Sequence, residues 1–576
     1  MNNICIKHFE TREYVYPIER NTLVLKLECN SQQNCEINLV YWKRFHENQS
    51  NTKKFRNFNY EGTSKYFDLV LKLDEVARYL NYYFQIFVSD EVFYFSPNGV
   101  SKEKPSRYFA YQSTNELDVM HYPSWARGIV GYHVFLDRFF NGDKNNDPQV
   151  VEEWNSIPTR TNFFGGDIRG LILKIKYLTD LGIKFICLTP IFLASSNHKY
   201  DTIDYFSIDP IFGSKEELIE LVKLCHENDI RIVLDGVFNH IGFYSNQFQD
   251  VIAKGKNSQY WDWFYIQGDK IDVNNINYEC VGDYKWMPKL RYSSNALREF
   301  ILSIGEYWIK ETGIDGWRLD VADEVDFTFW PEFRKAVKKL DPNTLLIAET
   351  WRDGRDLLRG DQMDTVMNYQ FRDSVIDYFI KNSIDSAMFK QRIEDIMYHY
   401  PLPVHNILYN LLGSHDTDRI MSVSDGNEKS MKLAIAFLLT FPGMPVVYYG
   451  DEIGLNGEND PSCRNTMKWD SIDYKIHHFY QSMIHFRNSH HSLRYGDFTH
   501  LNVDSKLYCF TRSEEEEIII VIFNIQSHDY STAFKYEYVV NEIKKVVEIK
   551  STIKSKEFMV FCITKDTADI KIERFN

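Results

Sequence analysis

The sequence has few of the features that mark secreted, membrane or zinc-binding proteins. Its nine cysteines are odd in number and form no CxxC pair, so they indicate neither a disulfide framework nor a zinc site. The most apolar stretch, residues 434–450, contains Pro442, Gly443 and Pro445 and is too short to cross a bilayer. The first residues lack a basic segment followed by an apolar run. We therefore expect no secretory signal, no membrane partner and a cytoplasmic location.

Basic residues are also in the minority. The chain has 66 Lys and Arg against 81 Asp and Glu, a formal net charge of -15, which would repel a polyanion, so nucleic acid is not an expected partner. Its 576 residues exceed a single domain of about 150 residues. Aromatic residues are abundant at 15 %. That excess suits surfaces that stack sugars, although core packing explains most individual rings.

The hydrophobic pattern divides the chain into three regions. Short apolar runs between polar turns predict an N-terminal β-sandwich over residues 1–122. Over residues 123–495, apolar runs alternate with segments of helical period, which predicts an α/β fold, a (β/α)8 TIM barrel. The long interval after the third barrel strand predicts an inserted subdomain at about residues 241–295. Strand-like runs return over residues 496–576 and predict a C-terminal antiparallel β domain. The predicted barrel strands are 129–136, 185–189, 231–237, 316–320, 345–349, 365–368, 411–415 and 446–449.

Polar residues stand at the ends of four predicted barrel strands. They occur in DGVFNH (235–240), GWRLD (316–320), IAETW (347–351) and SHD (414–416). Loops that follow barrel strands build the active site, so Asp320, Glu349 and Asp416 should face one cleft. A structural ion pair or a satisfied core histidine is the simpler explanation of any one of these residues. Their joint occurrence at successive strand ends favours a functional site.

Two of these carboxyl groups suit the cleavage of a glycosidic bond with retention. That reaction uses an ionised nucleophile and a protonated acid about 5–5.5 Å apart. Asp320 lies two residues after Arg318 and shares its strand face, so the cation should favour ionised Asp320, the expected nucleophile. Glu349 lies beside Trp351 and an apolar strand, which should raise its pKa and suit it as the general acid and base.

The third carboxyl group has a different expected role. Asp416, with His415 and His240, could hydrogen-bond sugar hydroxyls and stabilise the positive charge of an oxocarbenium-like transition state.

These segments resemble the sequence regions of the α-amylase family, glycoside hydrolase family 13. MPKL (287–290) and VADEV (321–325) further resemble the subgroup of cyclomaltodextrinase, neopullulanase and maltogenic amylase. The resemblance runs from about residue 125 to 469. It implies retaining hydrolysis, with some transglycosylation, of α-1,4-glucosidic bonds in cyclodextrins, pullulan, starch and maltooligosaccharides. It also implies a homodimer, in which a carbohydrate-binding-like N-terminal domain covers the partner's active site.

Carried over by position, the resemblance implies the same three catalytic roles for Asp320, Glu349 and Asp416. Tyr200, within HKYD (198–201), matches a tyrosine that stacks under the sugar, although loop packing alone could explain it. Trp351 either stacks a sugar or forms part of the cleft wall. Asp323 stands where many relatives have Asn and would add an acid on the acceptor side. The substrate contacts that the resemblance implies are Tyr200, His240, Arg318, His415, Trp351 and Asp323.

A second cluster of oxygen-bearing side chains lies in NGDKNND (141–147) and FGGD (164–167). Such oxygens suit a hard cation like calcium, although a run of this kind is more often a plain polar turn. Calcium sites at this place are known in the subgroup. The resemblance therefore implies a structural Ca2+ held by Asn141, Asp143, Asn146, Asp147, Gly165 and Asp167.

Two other functions remain open. One is a glucan-binding protein with a degenerate barrel, which the presence of all three carboxylates disfavours. The other keeps the barrel but makes the protein mainly a transglycosylase or an α-1,6-specific debranching enzyme. The products formed from pullulan would separate these enzymes, since each cleaves a different bond.

Overall fold

A computed structural model describes residues 5–30, 35–58, 64–88, 90–503, 506–540 and 543–575. The chain divides into two compact units. The first consists of Met1–His121, Leu358–Asp361 and Ala387–His405, and the second of Tyr122–Leu357, Gln362–Ser386 and Asn406–Asn576. Two short later segments therefore belong with the first unit, which the sequence pattern does not indicate.

The first unit is a sandwich of two antiparallel sheets, as predicted. One sheet has the order β1-β3-β7-β6 with β2 beside β3, and the other has the order β10-β9-β8-β4-β5 with β11 beside β8. Alternate residues such as Leu25, Leu27, Leu39 and Phe84 are buried in one core, because side chains of a strand point to its two faces in turn. The strands are β1 (Cys5–Lys7), β2 (Val15–Glu19), β3 (Thr22–Asn30), β4 (Cys35–Lys43), β5 (Asn51–Lys54), β6 (Arg56–Phe58), β7 (Ser64–Lys72), β8 (Arg78–Val88), β9 (Glu91–Ser96), β10 (Gly99–Ser101) and β11 (Phe109–Ser113).

The second unit contains a parallel barrel of eight strands, and each predicted barrel strand overlaps an observed one. The order is β19-β18-β17-β16-β13-β12-β21-β20, and a parallel bridge between Met367 and Tyr409 closes the ring. β14 and β15 form a separate hairpin. The strands are β12 (Gly131–Val134), β13 (Phe185–Leu188), β14 (Phe192–Ala194), β15 (Thr202–Ile208), β16 (Arg231–Gly236), β17 (Gly316–Leu319), β18 (Leu345–Ala348), β19 (Thr365–Val366), β20 (Tyr409–Leu411) and β21 (Met444–Tyr448).

Some helices, such as α3, bury one apolar stripe, whereas α10 is buried on almost every side. In α3 the stripe is Leu218, Leu221, Val222 and Cys225, all buried, at the three- and four-residue spacing of an amphipathic helix. The helices are α1 (Ile168–Leu173), α2 (Ile175–Leu181), α3 (Lys215–Glu227), α4 (Asn246–Lys254), α5 (Asn295–Thr312), α6 (Trp330–Leu340), α7 (Tyr369–Val375), α8 (Ser386–His399), α9 (Ile420–Val423), α10 (Glu428–Thr440), α11 (Tyr474–Ser489) and α12 (His491–Tyr495). Most of α8 lies in the first unit.

The long connection between β16 and α5 contains α4 and a set of isolated antiparallel bridges, among them His240 with Lys289 and Cys280 with Pro288. The backbone thus folds back on itself beside the end of β16, at the place where the sequence predicts an insertion. After α12 the chain forms an antiparallel sheet and a long hairpin, β25–β26. These strands are β22 (Asp497–His500), β23 (Tyr508–Ser513), β24 (Glu517–Asn524), β25 (Tyr530–Val540), β26 (Ile543–Ile553), β27 (Glu557–Thr564) and β28 (Ile570–Glu573). The predicted fold class is confirmed.

None of the helices in the described part of the chain is both long enough and apolar enough to cross a bilayer.

Candidate active site

One buried guanidinium holds three carboxylates together at the ends of neighbouring strands. Arg318, on β17, pairs in register with Asp235 on β16, and its Nη1 atom donates to Asp235 Oδ2 at 2.8 Å. The same Nη1 donates to Asp320 Oδ1 at 2.8 Å, because Asp320 lies two residues further along the same strand face. Arg318 Nη2 lies 2.7 Å from Glu349 Oε2, just past the end of β18. The structure therefore brings together Arg318, Asp320 and Glu349, as predicted.

The electrostatics of this cluster differ from the expectation for Asp320. Burial and the neighbouring Glu349 raise the pKa of Asp320 well above its ordinary value, although Arg318 acts in the opposite sense. Burial also raises the pKa of Asp235. One guanidinium cannot neutralise three carboxylates in a dry site. Asp320 Oδ1 and Glu349 Oε2 lie 2.8 and 2.7 Å from the same guanidinium, and we infer that Asp320 retains a proton in the free site.

Glu349 is held by two donors in addition to its contact with Arg318. The backbone N–H of Val321 donates to Oε2 at 2.9 Å, and Trp351 Nε1 donates to Oε1 at 3.2 Å. The indole of Trp351 is 51 % exposed and stacks on the ring of Tyr369, with 4.0 Å between centroids and 12° between planes. Trp351 thus presents one free face to solvent while its polar edge orients a catalytic candidate.

Asp416 has two partners of its own, His415 and Arg464. Its Oδ2 is 2.9 Å from His415 Nε2, and its Oδ1 accepts from Arg464 Nη2 at 3.1 Å. Partial burial alone would raise the pKa of Asp416, but its interactions with His415 and Arg464 outweigh that effect and lower the pKa. Asp416 is therefore the carboxylate that stays ionised in the free site.

Tyr200 connects the two halves of the site. Its hydroxyl donates to Asp235 Oδ2 at 3.0 Å and lies 2.6 Å from His415 Nε2. Its ring stacks on the imidazole of His415 with 12° between planes. The backbone carbonyl of Tyr200 lies 3.0 Å from His240 Nε2, and burial lowers the pKa of His240 to about 4. Tyr200 is thus fixed at both ends, and His240 is neutral at physiological pH.

These side chains line a cavity of about 380 Å³ at the carboxyl ends of the barrel strands. The buried guanidinium of Arg318 lies behind it. Asp323 is not among its lining residues, as far as the described residues show, and its Oδ2 accepts from the Thr350 hydroxyl at 2.9 Å. The cavity is lined by Arg160, His198, Tyr200, His240, Val281, Tyr284, Met287, Asp320, Val321, Glu349, Trp351, His415, Asp416, Asp460 and Arg464.

Sequence reasoning missed three residues that shape the site. Asp235 shares Arg318 with the catalytic candidates, and its place at the end of a predicted strand was a usable signal. Arg464 follows the last barrel strand, in a loop that the barrel rule directs to this same face. Tyr369 supports Trp351 from the start of α7, and no pattern in the sequence links these two rings.

The predicted calcium ligands lie together in the second unit. Asp167 accepts from the backbone N–H groups of Gly142 at 3.0 Å and Asp143 at 2.9 Å. The amide oxygens Oδ1 of Asn141 and Asn146 are buried without a hydrogen-bond partner in the described part of the chain, and Asn141 Nδ2 donates to Asp147 Oδ1 at 2.6 Å.

A side chain at the glycine position would collide with this group. A Cβ on Gly165 would lie 2.4 Å from Asp147 Oδ1, so the backbone there approaches the cluster as only glycine allows. Among described residues, no group of three or more His, Cys, Asp or Glu side chains could hold a metal. Two unpartnered amide oxygens beside carboxylates nevertheless form a donor set that fits calcium.

Comparison with known proteins decides the family. The alpha amylase catalytic domain matches residues 133–476, which span β12 to β21 and all three catalytic candidates. This chain belongs to the α-amylase family. Residues 1–115 match the N-terminal ig-like domain of alpha amylase. The predicted family is confirmed, and with it the prediction of an enzyme.

This α-amylase family member is similar to three known proteins. A cyclomaltodextrinase from Thermoanaerobacter pseudethanolicus is 39 % identical over 532 residues, 91 % of this chain and 92 % of that protein. An intracellular maltogenic amylase from Bacillus subtilis is 39 % identical and covers 78 % of each chain. The solved structure of a cyclomaltodextrinase superposes with a TM-score of 0.88 at 33 % identity, over 95 % of this chain and 98 % of that one. The predicted subgroup is confirmed.

Proposed function

We propose that this enzyme hydrolyses α-1,4-glucosidic bonds of cyclodextrins and maltooligosaccharides, and also acts on pullulan and starch, with retention of configuration. The observation that carries the proposal is the contact of Asp320 and Glu349 with one guanidinium, at 2.8 and 2.7 Å. Two such close carboxyl groups suit a retaining mechanism, whereas an inverting one leaves room for a water molecule at about 6.5–9.5 Å. The names of the relatives support small and cyclic glucans as substrates.

The chemistry follows from the placement of protons. When substrate binds, the proton held by Asp320 passes to Glu349. The ionised Asp320 then attacks the anomeric carbon, while Glu349 gives that proton to the departing glycosidic oxygen. A covalent glucosyl ester on Asp320 results. Glu349, now ionised, takes a proton from water, and that water breaks the ester and restores Asp320.

The ionised Asp416 and the stacked Tyr200 act on the same sugar. Asp416 stabilises the positive charge that develops at the anomeric centre, and its pKa, lowered by His415 and Arg464, keeps it charged throughout. A sugar acceptor that replaces water in the second step gives transglycosylation. Asp323, whose carboxylate binds the Thr350 hydroxyl, influences that choice through the loop after β18.

We further propose a structural calcium ion and a homodimer. Asn141, Asp143, Asn146, Asp147 and the carbonyl of Gly165 would hold the ion, and Asp167 orients the loop through its bonds to backbone N–H groups. The ion would rigidify the loops after β12 and take no part in the reaction. An intracellular relative supports action inside the cell. Sedimentation velocity of the full chain tests the dimer.

The decisive experiment compares the enzyme with two variants on β-cyclodextrin, pullulan and soluble starch. Glu349→Gln and Asp320→Asn should each lower turnover by roughly 10²–10⁴-fold. Asp180→Asn, a carboxyl-to-amide control at an exposed residue 2.8 Å from Lys176, should retain activity. Proton NMR of early products should show the α-anomer. Fastest loss of cyclodextrin supports the proposed substrate preference. Initial β-anomer, or undiminished turnover in both variants, would overturn the mechanism.

A further inference from the structure

Another cavity lies at the opposite ends of the barrel strands from the active site. Ile129 lies two residues before β12, Lys184 immediately precedes β13, and Arg231 is the first residue of β16. The cavity has a volume of about 300 Å³. It is lined by Trp125, Ile129, Lys184, Asp229, Arg231, Asn488 and Arg494.

Cationic side chains dominate this lining. Three of the lining residues are basic and one is acidic. Lys184 Nζ is 2.8 Å from Asp229 Oδ2, but the side chain of Asp229 is 78 % exposed, so this pair is weak. Arg231 Nη1 lies 3.2 Å from Asp315 Oδ1, a carboxylate that also contacts His226 at 2.8 Å. These two acids leave an excess of positive charge around the cavity.

Arg494 supplies that excess. Its Nε is buried and has no hydrogen-bond partner within the described ranges. Its guanidinium lies 4.9 Å from the ring of Tyr495, and Arg127 lies 5.0 Å from the same ring. Arg127 Nε is likewise buried without a partner there. Two arginines thus share one aromatic ring, which supplies no full negative charge.

The protein behind Arg494 adds further positive charge. Arg487 is fully buried and donates to backbone carbonyls, among them Gly128 at 3.0 Å and Gly443 at 2.6 Å. Arg512 is also fully buried and donates to the carbonyl of Thr440 at 2.9 Å. Burial and the charges of Arg512 and Arg494 lower the pKa of Arg487 well below its ordinary value. An anion in the cavity would relieve this repulsion.

We propose that the cavity binds the phosphate group of a small phosphorylated sugar. Guanidinium groups match the geometry of phosphate oxygens, and the presence of Lys184, Arg231 and Arg494 in one lining suits a doubly charged group. The remaining walls suit a sugar. Trp125 offers a flat apolar face fixed by its Nε1 bond to the carbonyl of Asn343 at 2.9 Å, and Asn488 offers amide polarity. Such a site would let a phosphorylated metabolite stabilise the barrel from the face remote from catalysis.

Isothermal titration calorimetry of the full chain with inorganic phosphate and with glucose 6-phosphate, at constant ionic strength, tests this proposal. Both should bind, the sugar phosphate more tightly, while glucose and chloride should not. Arg494→Gln and Lys184→Gln should each weaken phosphate binding by about tenfold or more, the usual loss of a charge-assisted bond. Asp229→Asn should tighten it, because it frees Lys184.

The matched control is Lys176→Gln, which removes an exposed lysine paired with Asp180 at 2.8 Å. It should bind phosphate like the original chain. Melting temperatures in chloride check that each variant is folded. No heat with either phosphate compound, or an equal loss of binding in Lys176→Gln and Arg494→Gln, would overturn the proposal. Since no glucan is present, the result is independent of the proposed hydrolase activity.

Discussion

Arg318 Nη2 lies 2.7 Å from Glu349 Oε2 with both side chains almost entirely buried. The same guanidinium also lies 2.8 Å from a carboxylate oxygen of Asp235 and of Asp320. Replacing Arg318 with methionine would leave three carboxylates in a dry site. We expect this change to lower the free energy of unfolding by about 3–5 kcal/mol at pH 7.5. The loss should be smaller at pH 5, where carboxyl groups can take up protons.

Melting temperatures at the two pH values check this expectation. Lys176→Met is the control, because Lys176 contacts Asp180 at 2.8 Å in a pair that is 84 % and 55 % exposed. An exposed pair of this kind contributes about 0–1 kcal/mol, so the control should melt close to the original chain. An Arg318→Met variant as stable as that control would contradict the central role of the guanidinium.

The raised pKa of Asp320 predicts the pH dependence of stability. The folded state holds a proton that the unfolded chain releases near pH 4, so this proton stabilises the fold at low pH and its contribution is lost as pH rises through the folded pKa. Asp320→Asn has no such proton to lose. The variant should therefore melt above the original chain at pH 8, with the difference shrinking toward pH 4.

Scanning calorimetry from pH 4 to pH 8 measures that difference. Asp180→Asn, which removes an exposed carboxylate 2.8 Å from Lys176, serves as the control and should show little change across the range. A difference between Asp320→Asn and the original chain that is constant, or that grows toward low pH, would show that Asp320 is ionised throughout.

Much of this site can be predicted from the sequence, because barrel topology fixes where the ends of the strands lie. The apolar runs that end at Gly236, Leu319 and Ala348 predict neighbouring parallel strands, and such strands bring the residues that follow them to one rim. The seventh strand was predicted too late, at 411–415, whereas β20 is Tyr409–Leu411. The reason is that Ser414, His415 and Asp416 form the following turn, in which Ser414 accepts from Asp416.

The remaining features depend on contacts between distant segments. The pairing of Arg464 with Asp416 and the stacking of Tyr369 on Trp351 join residues that no local pattern relates. No apolar run in the sequence marks the hairpin β25–β26, because its strands carry many charged residues. Exposed and buried residues alternate along both strands, so only one face of the hairpin is covered. The pKa of Asp320 differs from the expectation for a similar reason. The sequence places Arg318 beside Asp320 but does not show that Asp235 and Glu349 share the same guanidinium.

Val321 directly follows Asp320 with φ 44 and ψ 48, a left-handed conformation that strains a β-branched residue. Its N–H donates to Glu349 Oε2 at 2.9 Å, so the strained turn also positions the acid. Val321→Gly should be more stable than Val321→Ala by about 1 kcal/mol. The turnover of Val321→Gly should nevertheless fall, because the more flexible turn holds Glu349 less firmly.

Thermal melting of the two variants tests the strain, with the same pair of changes made at Lys176 as a control. Lys176 is 84 % exposed in the helix α2, where alanine should be more stable than glycine by about 1 kcal/mol. The order of stability should therefore reverse between the two positions. If the alanine variant is more stable than the glycine variant at both positions, the backbone at Val321 is not strained.

Removal of calcium is expected to destabilise the second unit, because Asn141 Oδ1 and Asn146 Oδ1 have no partner of their own in the described structure. A chelator should lower the melting temperature and added Ca2+ should restore it, with a contribution of about 2.7 kcal/mol at a hundredfold excess over the dissociation constant. Asp147→Ala should abolish that response. Asp272→Ala is the control, since Asp272 accepts from Asn275 Nδ2 at 2.6 Å in another exposed Asx-rich loop, and it should leave the calcium response intact. Identical melting with chelator and with calcium would mean that the 141–147 loop is a polar turn.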